Sequence, residues 1–350
     1  MSYLRENIER MSGYTPGEQP APGERVVKLN TNENPYPPSS HVMDALRAFD
    51  PDHLRRYPDP MANRVRDLVA RMAGVKRDNV LCGNGSDELL TYVVRAFVGE
   101  GEAIAYPVPT YSLYPVLAEI QNAVAVEVPT REDFSLPFDE LARVQARVMI
   151  ICNPNAPTGV FAPIASIERL AEKFDGVVVV DEAYVDFASD HAMRLAAAMP
   201  NVLVLRTLSK SYSLAGLRFG YAVGPAKLIE GLAKVKDSYN VDAVSIDLAA
   251  AALRDQAWMT GNVEKIRRER SRLSAALAAL GFAVTPSESN FILAAVPGGD
   301  GRAWYEGLKS RGILIRWWNL PRLADKLRIT VGTPQENDAL LAAIASMKNT

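Results

Sequence analysis

The sequence has few cysteines and no long apolar run, and both absences exclude classes of protein. Its 350 residues include only two cysteines, Cys82 and Cys152, each inside an apolar stretch. Two such thiols are typical of buried core residues in a reducing compartment, not of a disulfide framework. No uncharged apolar stretch reaches the ~20 residues that a membrane helix needs, and the first residues lack an apolar signal segment. We therefore expect a cytoplasmic protein with no membrane partner.

The charge of the chain is nearly balanced. Lysine and arginine number 39 against 41 aspartates and glutamates, which gives a formal net charge of −2, and no long Lys/Arg run occurs. Because a nucleic-acid partner needs a concentrated basic patch, we expect none. With 48% apolar and 23% charged residues, the composition is that of an ordinary globular protein. The length favours two domains, or one large unit with an appendage.

From about residue 63, short apolar runs alternate with amphipathic stretches. This alternation is typical of an α/β fold, with a parallel or mostly parallel sheet covered by helices on both faces. We predict helices at Glu88–Phe97, Tyr111–Ile120 and Ile164–Phe174. The predicted strands are Val80–Cys82, Ala103–Tyr106, Val124–Val128, Val148–Cys152, Val177–Val180, Val202–Leu205 and Tyr221–Val223.

The two ends of the chain differ from this middle part. Residues 1–40, rich in Pro, Gly, Asn and Glu with one strand-like run at Val26–Leu29, predict an N-terminal arm. Residues 41–240 form the predicted large domain, and residues 241–350 a smaller α+β domain against which we expect the arm to pack. The predicted elements of the small domain are a broken helical stretch at Val244–Leu280, strands at Phe291–Val296, Ile313–Arg316 and Leu327–Val331, and a last helix from Glu336.

Polar residues follow four of the predicted strands. In open α/β sheets the ligand crevice lies beyond the carboxyl ends of the strands, so we expect these segments to converge on one site. The segments are Gly83–Ser86, Asn153–Gly159, Asp181–Tyr184 and Arg206–Lys210.

The glycine-rich segment before a helix allows two interpretations. Gly83 and Gly85 let the backbone approach a ligand, and a helix N-terminus offers free N–H groups to a phosphate. Alternatively, Ser86 is an ordinary N-cap, and Asp87 and Glu88 complement the helix dipole. Those carboxylates would repel a phosphate unless they point away, so the segment alone does not decide.

Asp181 and Lys210 are the residues most suggestive of chemistry. A carboxylate at the end of a run of valines is costly to bury unless it is paired, and a protonated ring nitrogen is a suitable partner. Lys210 lies near Thr207, Ser209 and Arg218 in the sequence. Such a cluster can supply a phosphate cradle and an amine whose pKa falls when it is desolvated near other cations. A strand-end salt bridge and a solvated lysine are the alternatives.

Several motifs together resemble those of one enzyme family. Ser209-Lys210 followed by Leu214–Tyr221 is similar to the lysine motif of fold-type-I, class II aminotransferases that use pyridoxal 5'-phosphate (PLP). With the other motifs it resembles the histidinol-phosphate aminotransferase family in particular, from about residue 3 to the C-terminus. Those other motifs are Leu29–Pro35, Arg56–Asp59, Asn155–Gly159, Asp181–Tyr184 and Leu327–Thr333.

The resemblance implies a fold and a reaction. The fold would be that of a fold-type-I PLP transferase, whose large domain holds a mostly parallel seven-stranded sheet between helices, beside a smaller α+β domain. The reaction would transfer an amino group between L-histidinol phosphate and the 2-oxoglutarate/glutamate pair, with ping-pong kinetics, in histidine biosynthesis. An aromatic or broad-range aminotransferase and a decarboxylase of a phosphorylated amino acid stay open. So does a non-catalytic nucleotide-binding domain, although Gly83–Ser86 lacks its three-glycine fingerprint.

The resemblance also implies roles for single residues around the cofactor ring. Lys210 would bind the cofactor as a Schiff base and later move the substrate proton, Asp181 would pair with the ring nitrogen, and Tyr184 would hydrogen-bond the ring hydroxyl. Tyr111 would stack on the ring. Many family members have an Asn that bonds the ring hydroxyl at the position of Ala156. Either Tyr184 carries that bond alone, or Asn155 takes part.

The remaining roles concern the phosphate and the substrate. Tyr57 would reach the cofactor phosphate from the neighbouring subunit, so the active unit would be a homodimer with composite sites. The backbone N–H groups of Ser86 and Asp87 would also hold the cofactor phosphate, with Thr207 or Ser209 and with Arg218. Arg328 would grip the substrate α-carboxylate through a bidentate pair, and Arg316 would contact the substrate phosphate. Tyr14 and Asn32 would close over the substrate, and no metal is expected.

Overall fold

The bounds of the helices and strands come from a computed structural model that describes residues 2–21 and 23–348. The strands of this part of the chain are β1 (Val27–Lys28), β2 (Val80–Gly83), β3 (Ala103–Val108), β4 (Val124–Pro129), β5 (Val148–Cys152), β6 (Val177–Asp181), β7 (Val202–Thr207), β8 (Gly220–Val223), β9 (Ala283–Val284), β10 (Phe291–Ala295), β11 (Ile313–Leu314) and β12 (Lys326–Thr330). The α-helices are α1 (Glu6–Arg10), α2 (Ser40–Arg47), α3 (Asn63–Ala73), α4 (Ser86–Phe97), α5 (Leu113–Gln121), α6 (Phe138–Leu141), α7 (Ile164–Lys173), α8 (Met193–Ala198), α9 (Ala226–Val235), α10 (Ala243–Arg254), α11 (Gln256–Ala279), α12 (Gly301–Lys309) and α13 (Pro334–Lys348). Short 3₁₀ turns lie at Pro51–Arg55, Arg77–Asn79, Val185–Phe187 and Ala215–Leu217.

Seven strands form the central sheet of the described residues, in the order β2-β8-β7-β6-β5-β3-β4. All neighbours run parallel except β8, which is antiparallel to both β2 and β7. The seven predicted strands are confirmed, each within two residues at either end. Their apolar runs are continuous because the sheet is covered on both faces, which leaves no side for polar residues.

Alternate side chains of the strands pack into two separate apolar cores, one on each face of the sheet. In β5, Ile150 packs with α4, α5 and α9 on one face of the sheet, whereas Met149 and Ile151 pack with α3, α7 and α8 on the other. This alternation follows from the two-residue period of a strand. Each fully buried side chain of this size contributes roughly 1.5–3 kcal/mol relative to an exposed one, so the two cores fix the sheet firmly.

The C-terminal part of the chain adds a smaller sheet, β12-β10-β9, which is antiparallel throughout. Strand β1 of the N-terminal segment pairs in parallel with β11, with Val27 opposite Ile313. Helix α10 packs in the core of the large sheet with Ile246 and Leu248, although it follows residue 240. The division at residues 40 and 240 therefore remains a prediction. No helix of the described residues is long and apolar enough to cross a membrane.

The segment after β1 connects the small sheet to the loop after β7, which carries Lys210. Asn290 donates its amide N–H to the carbonyl of Asn32 at 2.9 Å. Two residues further on, Asn34 donates to the carbonyl of Lys210 at 3.0 Å. This link sets the small sheet over the carboxyl ends of the central strands.

Candidate active site

A cavity of about 730 Å³ lies where the carboxyl ends of β5, β6 and β7 face the small sheet. The strand-end segments expected to converge on one site do so here, as the topology of an open α/β sheet requires. The predicted site residues that line the cavity are Tyr14, Asn32, Ser86, Asp87, Tyr111, Asp181, Tyr184, Thr207, Ser209, Lys210, Arg218, Arg316 and Arg328.

Asp181 ends β6 and is only 2% exposed. Its Oδ2 accepts a hydrogen bond from the Tyr114 hydroxyl at 2.8 Å, and its Oδ1 accepts one from the backbone N–H of Ala183 at 3.2 Å. Burial raises the pKa of this carboxyl to about 6, against the opposing effect of the Tyr114 hydrogen bond. Each oxygen keeps a free lone pair, so the carboxylate can accept a further donor from the cavity.

Lys210 follows β7, and its amine faces the same cavity. Nζ donates to the carbonyl of Thr31 at 3.3 Å and lies 5.6 Å from the centre of the Tyr184 ring. Burial lowers the pKa of Lys210 to about 8, and the nearby Arg328 charge adds to this. A larger fraction of the amine is therefore neutral near pH 7 than in an ordinary lysine, as a nucleophilic or proton-accepting amine requires.

The N-terminus of α4 and the loop after β7 form a cradle for an anion. Helix α4 begins at Ser86, directly after Gly85, whose φ is +86°. Ser209 Oγ accepts from Thr207 Oγ1 at 2.9 Å and from Arg218 Nη1 at 3.3 Å. Gly220 lies against this turn so closely that a Cβ there would come within 2.7 Å of the Ser86 nitrogen. The cradle thus combines free helix N–H groups with hydroxyls and a guanidinium.

The two carboxylates at the start of α4 are both occupied by other groups. Asp87 pairs with Arg218 at 3.2 Å and accepts from the Tyr111 hydroxyl at 3.3 Å. Glu88 accepts from the backbone N–H of Asn84 at 2.6 Å and from Asn240 at 2.8 Å. Arg218 neutralises the charge of Asp87, and Glu88 is hydrogen-bonded to Asn84 and Asn240. These contacts reduce the repulsion between the two carboxylates and a phosphate that the sequence suggested.

Aromatic rings and one amide line the middle of the cavity. The Tyr111 ring meets Tyr14 and Tyr114 edge-on, with centroids 5.9 and 5.7 Å apart. The Tyr184 hydroxyl accepts from the side-chain amide of Asn32 at 3.0 Å. Asn32 is itself buried, and its closure over a substrate remains a prediction.

Two guanidiniums occupy the small-sheet side of the cavity. Arg316 and Arg328 both stack on Trp318, with Cζ atoms 5.3 and 5.1 Å from the ring centroid. Arg328 Nη2 donates to the carbonyl of Asn30 at 2.7 Å, but its buried Nε has no hydrogen-bond partner among the described residues. Burial lowers the pKa of Arg328 to about 10, so it still carries its charge near pH 7.

Two predicted site residues do not line the cavity. Asn155 is held by the neighbouring loops: its amide donates to the Pro109 carbonyl at 3.0 Å and to Thr158 at 2.9 Å, and its Oδ1 accepts from Thr110 at 2.8 Å. Tyr57 is 81% exposed and stacks on Tyr239, with centroids 4.4 Å apart.

Among the residues that line or support the site, sequence reasoning missed Tyr114, Trp318 and Arg322. Tyr114 follows Tyr111 by three residues inside the predicted helix Tyr111–Ile120, a spacing that favours a shared face and was available as a signal. Trp318 and Arg322 line the cavity from the loop after β11. Arg322 donates to the carbonyl of Thr130 at 2.8 Å, a contact between distant segments that no local pattern indicates.

These residues fit the cofactor PLP, a flat phosphorylated pyridine aldehyde. Gly85 and Gly220 leave room at the anion cradle that a side chain would fill, Asp181 offers a carboxylate to a ring N–H, and Lys210 offers an amine to an aldehyde. The fold and the site together define a PLP-dependent enzyme of fold type I.

Comparisons with known proteins give the family. Residues 24–344 match the model for aminotransferase class I and II. Histidinol-phosphate aminotransferase 1 of Trichormus variabilis is 46% identical over 346 residues, 99% of each chain. The histidinol-phosphate aminotransferase of Syntrophotalea carbinolica is 44% identical, over 99% of this chain and 100% of the relative. The crystal structure of histidinol-phosphate aminotransferase from Sinorhizobium meliloti in complex with pyridoxal-5'-phosphate superposes with a TM-score of 0.90 at 26% identity, over 99% of both chains.

The chain belongs to the class I and II aminotransferases and, within them, to the histidinol-phosphate aminotransferase family. It is a PLP-dependent aminotransferase, and the resemblance drawn from its motifs is confirmed. The alternative of a non-catalytic nucleotide-binding domain is wrong.

Replacing Gly85 with Ala should weaken cofactor binding. A Cβ at this position would lie 2.7 Å from Arg218 Nη2 and would displace the guanidinium from the cradle. Loss of one hydrogen bond to a charged group corresponds to a fall of about tenfold or more in PLP affinity, measured by titrating apoenzyme with PLP.

Gly74→Ala is the matched control for this change. Gly74 also has a positive φ, of +67°, but has open space around it. Both variants place an alanine at a positive φ, at a cost of order 1–3 kcal/mol, so both should lose stability. The loss should be larger at Gly85, whose ψ of 169° lies in a region that only glycine ordinarily adopts, than at Gly74, whose ψ is 30°. An equal loss of PLP affinity in the two variants would contradict the role of the Gly85 turn.

Proposed function

We propose that this enzyme transfers an amino group between L-histidinol phosphate and the 2-oxoglutarate/glutamate pair, a step of histidine biosynthesis. The proposal is carried by the 46% identity to a histidinol-phosphate aminotransferase along nearly the whole of both chains. The stacked pair of Arg316 and Arg328 supports it, because both substrates bring anionic groups into the cavity.

The two arginines take different anions in this proposal. Arg328, whose buried Nε lacks a protein partner, grips the α-carboxylate of glutamate. Arg316 contacts the phosphate of histidinol phosphate from the outer end of the cavity, where it now donates to the carbonyls of Thr15 and Pro16 at 3.4 Å. Tyr14 lies at the same end and closes over the substrate.

The catalytic residues are Lys210, Asp181 and Tyr184. When bound, PLP supplies an electron sink for negative charge at the substrate Cα. The Lys210 amine, with its pKa lowered to about 8, would take the proton from the substrate Cα and deliver it to the cofactor carbon that had carried the aldehyde. The Asp181 carboxylate holds the proton on the ring nitrogen. Tyr184 hydrogen-bonds the ring hydroxyl by itself in this proposal, since Asn155 is engaged elsewhere.

Around these groups, Tyr111 stacks on the ring and keeps its plane fixed. The phosphate is held by the backbone N–H groups of Ser86 and Asp87 at the start of α4, together with Thr207 or Ser209 and with Arg218. Fixing both the ring plane and its phosphate end orients the Cα–H bond toward Lys210, which is how binding contributes to rate.

Replacing Arg316 with Ala should raise KM for histidinol phosphate far more than KM for phenylalanine. A charge-assisted hydrogen bond to the phosphate contributes about 1.5–3 kcal/mol, which corresponds to an increase of roughly 10- to 100-fold. Steady-state kinetics with both amino donors measures the difference.

The control is Arg302→Ala, which removes an exposed arginine paired with Glu306 on α12. It should leave both KM values unchanged. Equal effects of Arg316→Ala on the two donors would favour an aromatic or broad-range aminotransferase, and a product without an amino acceptor would indicate the decarboxylase alternative.

We further propose that the enzyme is a cytoplasmic homodimer with composite active sites. Tyr57 lies outside the cavity of its own chain, and its exposed ring stacks on the exposed ring of Tyr239, as is found for apolar groups at an interface. In the dimer, Tyr57 reaches the cofactor phosphate of the neighbouring subunit.

Mixed dimers test this arrangement. Protomers carrying Lys210→Ala and Tyr57→Ala are each expected to be poorly active, but a mixed dimer holds one site with wild-type Lys210 and wild-type Tyr57. After random exchange, about a quarter of all sites should be intact if the sites are composite. Activity is measured at limiting PLP before and after subunit exchange. Activity that never exceeds the mean of the two parents would show that Tyr57 acts within its own chain or not at all.

A further inference from the structure

The hydroxyl of Tyr114 makes a buried contact with the key carboxylate of the site. Tyr114 lies on α5, is 0% exposed, and donates to Asp181 Oδ2 at 2.8 Å. Tyr111, three residues earlier, lines the cavity itself. One short stretch of chain therefore supplies both a ring for the cavity wall and a hydrogen bond behind Asp181.

This contact fixes the direction of the carboxylate. With Tyr114 on one oxygen and the Ala183 N–H on the other, the plane of the Asp181 carboxylate cannot rotate freely. Its remaining lone pairs then point into the cavity. Both donors are uncharged, so the carboxylate keeps its full negative charge for a cationic partner.

We propose that Tyr114 is a positioning residue, whose hydroxyl holds the Asp181 carboxylate ionised and directed at the ring nitrogen of the cofactor. The inference rests on the pairing of Asp181 with that nitrogen in the proposed function. Tyr114 itself does not touch the cofactor.

The charges around Asp181 make this hydrogen bond important. Burial and the like charges of Asp87 and Glu182 all favour the protonated carboxyl, although Asp87 pairs with Arg218 and Glu182 with Arg206. The Tyr114 hydroxyl acts in the opposite direction. Burial raises the pKa of Tyr114 well above its ordinary value, so the hydroxyl stays protonated and remains a donor. The titratable groups that face Asp181 are Tyr114 on α5, Asp87 on α4, Cys152 on β5, and Glu182 and Tyr184 after β6.

The test measures the PLP affinity of apoenzyme as a function of pH. A protonated Asp181 cannot pair with a ring N–H, so wild-type affinity should fall as the pH drops through about 6, the pKa of Asp181. In Tyr114→Phe the ionised carboxylate loses a hydrogen bond, and the midpoint of this fall should move to higher pH by about one unit.

Tyr106→Phe is the matched control, because Tyr106 is equally buried with its ring 5.9 Å from Tyr114 but points its hydroxyl at Glu127. Its midpoint should stay at the wild-type value.

Asp181→Asn separates this inference from the proposed function on which it rests. Asp181→Asn should remove the fall in affinity near pH 6, and adding Tyr114→Phe to it should change the PLP affinity by less than about twofold, because the two residues act as one unit. A Tyr114→Phe profile lowered equally at every pH, or additive effects in the double variant, would overturn the positioning role. An Asp181→Asn variant with wild-type affinity would overturn the role of Asp181 itself. If apoenzyme of Tyr114→Phe does not fold, the rate of PLP release from holoenzyme across the same pH range gives the same comparison.

Discussion

The site depends on keeping one carboxylate charged at the end of a strand that is buried on both faces. Asp181 closes β6, and burial alone would favour its protonated form. The hydrogen bonds from Tyr114 and Ala183 act against that tendency, and in the proposed function a ring N–H of the cofactor is the third donor. Without an ionised carboxylate, the ring nitrogen would have no counter-charge there, and the cofactor would lose much of its capacity to stabilise negative charge at Cα.

The other charges of the site are arranged around this one. Glu182, fully buried beside Asp181, pairs with Arg206 at 2.8 Å, and Asp87 pairs with Arg218 at 3.2 Å. Pairing of these neighbours limits their repulsion of Asp181 and of a bound phosphate. The same burial that raises the pKa of Asp181 lowers the pKa of Lys210. Burial therefore moves the pKa of both groups toward neutral pH, as is common for titratable residues in catalytic sites.

The sheet and the location of the site were predictable, because strands buried on both faces leave a continuous apolar signal and parallel topology brings their ends together. Contacts between distant segments were not. Asn155 belongs to a motif that matches the family, but its amide is taken up by Pro109 and Thr110 in a neighbouring loop. Asn32 meets Tyr184 only because the segment after β1 crosses between the two sheets. Helix α10 looks like part of the C-terminal unit in sequence, yet it packs on α2 and α3 and shares the core on that side of the large sheet.

A crystal structure of the PLP-bound enzyme would show whether a carboxylate, an amine and a guanidinium meet around one pyridine ring. We expect the ring nitrogen within about 2.8 Å of an Asp181 oxygen, the Lys210 nitrogen joined to the aldehyde carbon, the phosphate at the start of α4, and Arg328 facing the open side. A ring nitrogen turned away from Asp181, or a phosphate bound elsewhere in the cavity, would contradict it.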